Sequence, residues 1–266
     1  MTDKVLFEKD GHVAILTLNQ PETRNALTDL DLVEAIVAHL ARVNKDMDIR
    51  ALIVTGAGPV FSSGGNIKHM RDKLGTFKGN AREVRDNYRA GIQRIPPAFY
   101  DVAVPTIAAV NGPAHGAGCD LTLMCDIRIA STTAVFAENF LRVGIVPGDG
   151  GAWLLPRVVG LSRAMEMTFT GEEVSAKKAE EWGLVSRVVE PGELMGAAKE
   201  LARKIAANPP QALRAAKRLL RDGQRMTLPE MLELASTIQG EMHQTADHME
   251  AVTALLEKRA PVFKGK

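Results

Sequence analysis

Apolar and polar residues alternate at the start of the chain. Val5 and Phe7 form one run and Val13, Ile15 and Leu18 a second, with Gly11 between them. A period of two is that of a half-buried strand, so the spacing predicts a β-hairpin. The period then lengthens. In PETRNALTDLDLVEAIVAHLARV, Leu32, Ile36 and Leu40 recur at helical spacing behind Thr28, a residue type suited to capping a helix N-terminus. RALIVTG and VPTIAAVNG are short continuous apolar runs, which suits strands buried on both faces. Residues 70–95 are polar and helix-compatible, and a mobile helix or loop is expected there. DIRIAS and AVFA read as two short strands on either side of a turn. GIVPGDGGAWLLPRVVG is a glycine- and proline-punctuated loop leading to a helix near Ser162. EVSAKKAEEWGL is a short amphipathic helix and VSRVVE a closing strand.

After Pro191 the strand signals stop and alanine-rich helical segments take over. Pro209 and Pro210 can open a helix from its first turn, and Met231, Leu234 and Ile238 continue the helical spacing. Arg214, Lys217, Arg218 and Arg221 share one helical face and read as solvated cations. The alternation of strands and helices predicts an α/β body with parallel sheet over residues 1–195, followed by a helical region over 196–266.

The chain has 266 residues, 45% of them hydrophobic, enough for a substantial core. Its 33 Lys and Arg against 32 Asp and Glu leave a net charge of +1, which gives no reason to expect nucleic acid or a membrane surface as partner. No apolar run reaches the ~18 residues of a membrane span, and MTDKVLFEKDG is unlike a signal peptide, so a cytoplasmic protein is expected. Cys119 and Cys125 would lie about 9 Å apart on one helix. That exceeds the roughly 7 Å a disulfide tolerates, so both read as reduced thiols. No metal site is expected from this spacing.

The chemistry concentrates in two loops of small residues, FSSGGNIK after RALIVTG and HGAGCD after VPTIAAVNG. Such loops let a ligand approach backbone N–H groups closely, and at a helix N-terminus those groups are unpaired and carry positive partial charge. They can serve backbone geometry alone, hold a phosphate, or supply two donors to one oxyanion. Neither loop follows the P-loop or dinucleotide-binding fingerprint. Asp120 falls in the first turn of the helix after the second loop, as a capping acid or as a carboxylate that moves a proton.

PETRNAL, RALIVTGAG, FSSGGNIKHM, PTIAAVNGPAHGAGCDLTLMCDIRIAS, GIVPGDGGAWLLPRVVG, MTFTGEEVSA, AEEWGLVSRVV and EKRAPVFKGK follow one another in an order that resembles the crotonase (enoyl-CoA hydratase/isomerase) superfamily, nearly end to end. The resemblance implies a spiral of β-β-α units with a C-terminal helical trimerisation region, assembled as a homotrimer or a dimer of trimers. It also implies an acyl-CoA substrate and no separate cofactor. It places the oxyanion-hole N–H groups at Gly65 and Ala117 and a catalytic carboxylate at Asp120. It points to Arg24, Ser62, Ser63, Lys68 and Lys258 for contacts to coenzyme A. Hydratases of the family carry a second glutamate where this chain has Phe140. Phenylalanine has no proton to exchange, so double-bond isomerase or specialised lyase chemistry is expected ahead of conventional hydration. Asp149 is the expected second acid, with Glu138 and His115 as weaker candidates. An acyl-CoA hydrolase or dehalogenase using Asp149, or a non-catalytic acyl-CoA-binding scaffold, are the alternatives.

Overall fold

The computed structural model describes residues 3–266. β1 (Val5–Asp10) and β2 (Val13–Leu18) form the antiparallel hairpin that the alternation predicts, with Val5 opposite Leu18. α1 (Leu30–Lys45) buries Leu32, Val33, Ile36, Leu40 and Val43. Its N-cap is Asp29, whose carboxylate accepts the Asp31 N–H. Thr28, the expected cap, instead accepts the Asn66 N–H on its Oγ1 at 3.3 Å and ties the helix entry to the first glycine loop. β3 (Ala51–Gly56) leads into that loop.

Residues 67–100 carry α2 (Ile67–Arg71), α3 (Ala81–Ala90) and α4 (Ile95–Tyr100), so much of the polar stretch is formed helix. Asn80 and Glu83 close a capping box on α3, each satisfying a backbone N–H that the helix start leaves free. The chain then makes two similar passes. The first is β4 (Thr106–Val110), β5 (Ala114–His115) and α5 (Ala117–Met124). The second is β6 (Ile127–Ser131), β7 (Val135–Ala137) and α6 (Gly151–Val159) with α7 (Leu161–Thr170). The helix expected near Ser162 is thus two helices, divided at Gly160, where φ is +81°. β8 (Val174–Ser175), α8 (Ala176–Glu181) and β9 (Arg187–Val189) follow.

The strands form a six-stranded sheet of order β1-β2-β3-β4-β6-β9, parallel beyond the hairpin, and a three-stranded sheet of order β5-β7-β8. Successive side chains on a strand point to opposite faces. Leu52, Val54 and Ala108 therefore join Leu32, Ile36 and Phe99 in one core. Ile53, Ile107 and Ala109 join a second core. That second core is closed by Ala198 and Ala202 of α9 (Leu194–Ala206), so the first helix after Pro191 packs on the sheet. α10 (Pro210–Asp222), which starts at Pro210 as expected, α11 (Leu228–His243) and α12 (Ala246–Glu257) complete the chain. Among the described residues no helix is long and apolar enough to cross a membrane.

The cations of α10 are not a solvated face. Lys217 is buried and donates to Val104 O at 2.6 Å, with its Nζ 2.7 Å from Asp126 Oδ2. Arg221 bonds Asp126 Oδ1 at 2.9 Å and the Tyr100 carbonyl. Arg214 donates to the carbonyls of Asp46 and Ile49 at 3.2 Å. Only Arg218 stays on the surface, paired with Asp222. The two cations hold the Asp126 carboxyl below its usual range even though burial pushes it up. Burial lowers Lys217 to about 8 against the pull of Asp126. Asp126→Ala would leave a buried ammonium without its counter-charge. It is expected to destabilise the fold by about 3 kcal/mol, the low end of the range for breaking a buried pair, because the Asp126 side chain is 26% exposed. Denaturant unfolding at pH 7 measures this, and a loss below about 1 kcal/mol would show the pair to be worth no more than a surface bridge.

Candidate active site

Both glycine loops are fixed from below by one asparagine and a short backbone bridge. Asn25 is fully buried at φ +54°, and its Nδ2 donates to Val60 O at 2.9 Å and Ala57 O at 3.0 Å. Ser62 donates through Oγ to Asn25 O at 2.8 Å, and its carbonyl accepts the His115 N–H at 3.0 Å. The first loop is thereby stitched to the second through a parallel Ser62–Ala114 bridge. The stitch is so tight that side chains do not fit. A Cβ on Gly64, at φ +74°, would sit 2.4 Å from His115 O and 2.9 Å from Ala117 N. A Cβ on Gly118 would sit 2.2 Å from Ser62 O. The bareness of the two loops thus follows from the close approach of two backbones.

Gly65 and Ala117 stand on these adjoining loops, Ala117 as the first residue of α5. Neither N–H donates to a protein acceptor among the described residues. Met70 of α2 packs over Gly65, with its Cε 2.4 Å from where a Cβ would be.

Beside the start of α5, three carboxyls from three segments converge. Asp120 comes from the first turn of α5, Glu138 from the end of β7, and Asp149 from the loop before α6. Glu138 and Asp149 both lie within hydrogen-bonding reach of Asp120. Asp120 and Glu138 are wholly inaccessible, and Asp149 is 3% exposed. Both oxygens of Asp120, both of Glu138, and Asp149 Oδ2 have no donor among the described residues. Gly151 lets the start of α6 approach closely, since a Cβ there would lie 2.0 Å from Asp120 Oδ1.

Burial is the main force on all three carboxyls. Burial lifts Asp120 well above the ordinary carboxylate range, reinforced by the Glu138 carboxyl and opposed by Asp149 and the nearby Gly151 amide. It lifts Asp149 well above that range too, with Asp120 adding to the rise. Glu138 is pushed up to about 7 by burial, although the Asp120 carboxyl and the Cys119 thiol beside it favour its charged form. Three negative charges this close in a dry pocket repel one another, so the three carboxyls titrate as one linked unit.

Phe140 packs against the second loop. Its ring atoms lie 3.6 Å from the position of a Cβ on Gly116, so an apolar ring fills the side of the second loop. His115 is half-buried, and burial lowers its pKa despite Glu173, so the ring is neutral at pH 7. Its Nε2 is 3.3 Å from Glu173 Oε1 but lacks hydrogen-bond alignment. Two residues not singled out in the sequence line the Asp149 loop. Tyr88 of α3 lies 3.6 Å from where a Cβ on Gly148 would be, and burial and the Asp149 charge raise its phenol. Gln93 donates to Gly148 O at 2.6 Å. The rarity of tyrosine, two in the whole chain, was a signal for Tyr88; nothing local marks Gln93.

The residues expected to meet coenzyme A divide into two sets. Arg24, at φ +56°, accepts the Ser63 N–H on its carbonyl at 2.9 Å, so Arg24 and Ser63 form one rim, whereas Ser62, expected beside them, is fully buried with its hydroxyl, N–H and carbonyl all bonded within the protein. Lys68 follows on α2, exposed. Lys258 caps the C-terminus of α12 and makes no hydrogen bond or ion pair to that rim among the described residues. A cavity of about 650 Å³ touches the loop at Gly150 and is otherwise lined by residues such as Tyr100, Trp153 and Arg221; the three carboxyls are not on its wall. Cys119 and Cys125 are free and buried.

Two sheets crossed by successive strand–strand–helix passes, with bare loops meeting at a helix start beside an acid, define the crotonase class of fold. The comparisons agree. The family model described as enoyl-CoA hydratase/isomerase matches residues 8–266. The short-chain-enoyl-CoA hydratase of Clostridium acetobutylicum is 37% identical over 97% of this chain and 96% of its own. The 1,2-epoxyphenylacetyl-CoA isomerase of Escherichia coli is 36% identical over 100% of both. A crystal structure of enoyl-CoA hydratase from Bacillus anthracis superposes with a TM-score of 0.92 at 34% identity, covering 99% of this chain and 100% of that one. The chain belongs to the enoyl-CoA hydratase/isomerase family, within the crotonase superfamily.

Proposed function

We propose that this chain is a cofactor-free enzyme that shifts the double bond of an enoyl-CoA rather than hydrating it. The N–H groups of Gly65 and Ala117 receive the thioester carbonyl oxygen. Donors fixed in place before reaction stabilise the charge that develops there without reorganising. An ionised carboxyl of the Asp120–Asp149 pair takes a proton from the carbon chain. The electrons of that C–H bond pass into a dienolate whose negative charge rests on the gripped oxygen. The same pair returns a proton to the carbon two positions away, and the double bond has moved. Arg24, Ser63 and Lys68 hold the coenzyme A portion, with Lys258 joining from the C-terminal helices.

The observation that carries this reading is the pairing of acids. Asp120 has Asp149 as its close partner, while Phe140 offers a hydrocarbon ring where family hydratases have a second glutamate. A proton shift needs one carboxyl to take and return a proton. Water addition also needs a group to orient and activate water, and an apolar ring does neither.

A homotrimer or dimer of trimers belongs to the same proposal. It is supported by apolar side chains presented by the C-terminal helices, among them Leu255 at 79% and Leu256 at 78% exposure. Larger exposed apolar patches mark interaction sites.

Turnover of 3-enoyl-, 2,4-dienoyl- and 2-enoyl-CoA, followed by thioester absorbance and product identification, tests the reading. Isomerisation of the 3-enoyl substrate is expected to exceed hydration of the 2-enoyl one by about 10²-fold or more, the usual contribution of one general acid or base. Hydration as fast as isomerisation would overturn it.

A further inference from the structure

Glu138 has no place in the proton shift just described, yet it is as fully enclosed as Asp120. The Ala137 carbonyl accepts the Gly116 N–H at 2.8 Å, and Ala137 pairs with His115, which sets residue 138 beside the start of α5. From there its carboxyl reaches two groups, the Asp120 carboxyl and the Cys119 thiol. Cys119 is a poor counter-group, since burial first and Glu138 second push its thiol well above its ordinary range. Arg128, the cation that acts on Cys119, is spent elsewhere: it donates to Leu184 O at 2.7 Å and Cys125 O at 2.8 Å. On the far side, Asp149 faces Asp120 and has Tyr88 near it. Neither Glu138 oxygen has a donor among the described residues. A buried carboxylate without a donor or a cation is unfavourable, and the simplest relief is a proton held between two carboxyls.

We propose that Glu138 is a positioning residue that shares one proton with Asp120, so that the Asp120–Asp149 pair always has an acid and a base available. This rests on the proton-shift reading for its purpose but not for its existence. As Asp149 or Asp120 gains the substrate proton, the O–H···O bond between Glu138 and Asp120 moves its hydrogen from one oxygen to the other. The electron pairs stay on their oxygens, and Glu138 ends each cycle with the proton count it began with. The chain thus needs no water-borne proton at the moment the dienolate is quenched.

Infrared spectroscopy of the whole protein tests the shared proton without reference to turnover. At pH 7 the wild type is expected to show a carbonyl stretch from protonated buried carboxyls. Glu138→Gln is expected to remove part of that band and to lower, by about one pH unit or more, the pH at which the remaining acids ionise. In kinetics, the acid limb of kcat/KM for the 3-enoyl substrate is expected to move down with that titration. Affinity for an unreactive acyl-CoA thioether should stay within about twofold, and Glu138→Asp should restore the wild-type limb in part. A merely structural Glu138 would leave the titration and the acid limb unmoved, and either result overturns the proposal. Should Glu138→Gln not fold, the wild-type spectrum still decides, because no protonated band at pH 7 excludes the shared proton. Failure to isomerise any enoyl-CoA, with the infrared titration as expected, would remove the proton-shift reading and leave the shared proton standing.

Discussion

Asp120→Asn is expected to lower turnover by about 10²–10⁴-fold, the usual loss when a general acid or base is removed. Binding of an unreactive acyl-CoA should be nearly unchanged, because the amide fills the same space and the two loop N–H groups are untouched. The same substitution should make the protein more stable at alkaline pH. Asp120, Glu138 and Asp149 all have pKa values raised on folding. Between the unfolded values near 4 and the folded ones, the folded chain therefore binds more protons than the unfolded chain, and stability falls as pH rises. Glu138 sets part of that window, from about 4.5 to about 7. Asp120→Asn removes one of the three charges, so its gain over wild type should grow between pH 5 and pH 8. Thermal unfolding at the two pH values, beside steady-state kinetics, measures both effects. A variant that keeps its turnover, or that loses stability more at pH 8 than at pH 5, would contradict the strained carboxyl group.

Gly118→Ala is expected to act on the other half of the site. The new methyl would lie 2.2 Å from Ser62 O, a backbone atom that cannot rotate away. The loops must then part at the point where they are stitched, and Gly65 and Ala117 separate with them. Losing one oxyanion donor removes about 10²–10³ in kcat, or about 2.7–4 kcal/mol, and spreading the pair should do at least as much. Stability should also fall by about 1–3 kcal/mol, the usual result of overpacking. Circular dichroism and unfolding curves separate a folded, inactive variant from a collapsed one. Normal turnover in a folded Gly118→Ala protein would show that the two loops do not act together.

The parts of this site that the sequence displays are those encoded within one loop. FSSGGNIK and HGAGCD show their bare backbones, and Asp120 shows its place in a helix's first turn. Register supplied the rest of the family pattern, including Phe140. What the sequence does not display is convergence between segments. Glu138 and Asp149 lie 11 residues apart in the chain, and nothing local says that both carboxyls reach Asp120. Tyr88 sits in a stretch whose polarity masks the wall it forms against the Gly148 loop. The setting of the α10 cations is hidden for the same reason. Helical spacing tells which residues share a face, but not that Asp126 and the Val104 carbonyl wait opposite Lys217. The misplaced cap of α1 is a smaller case: Thr28 and Asp29 are both capping residues, and the choice was made by Asn66, 38 residues away.

The most direct measurement is a crystal structure of the protein with an unreactive acyl-CoA. The account places the thioester oxygen about 2.7–3.1 Å from both the Gly65 and the Ala117 nitrogen, with the reacting carbons against Asp120 and Asp149. A thioester oxygen bonded to neither nitrogen, or an acyl chain running away from the carboxyls, would contradict it.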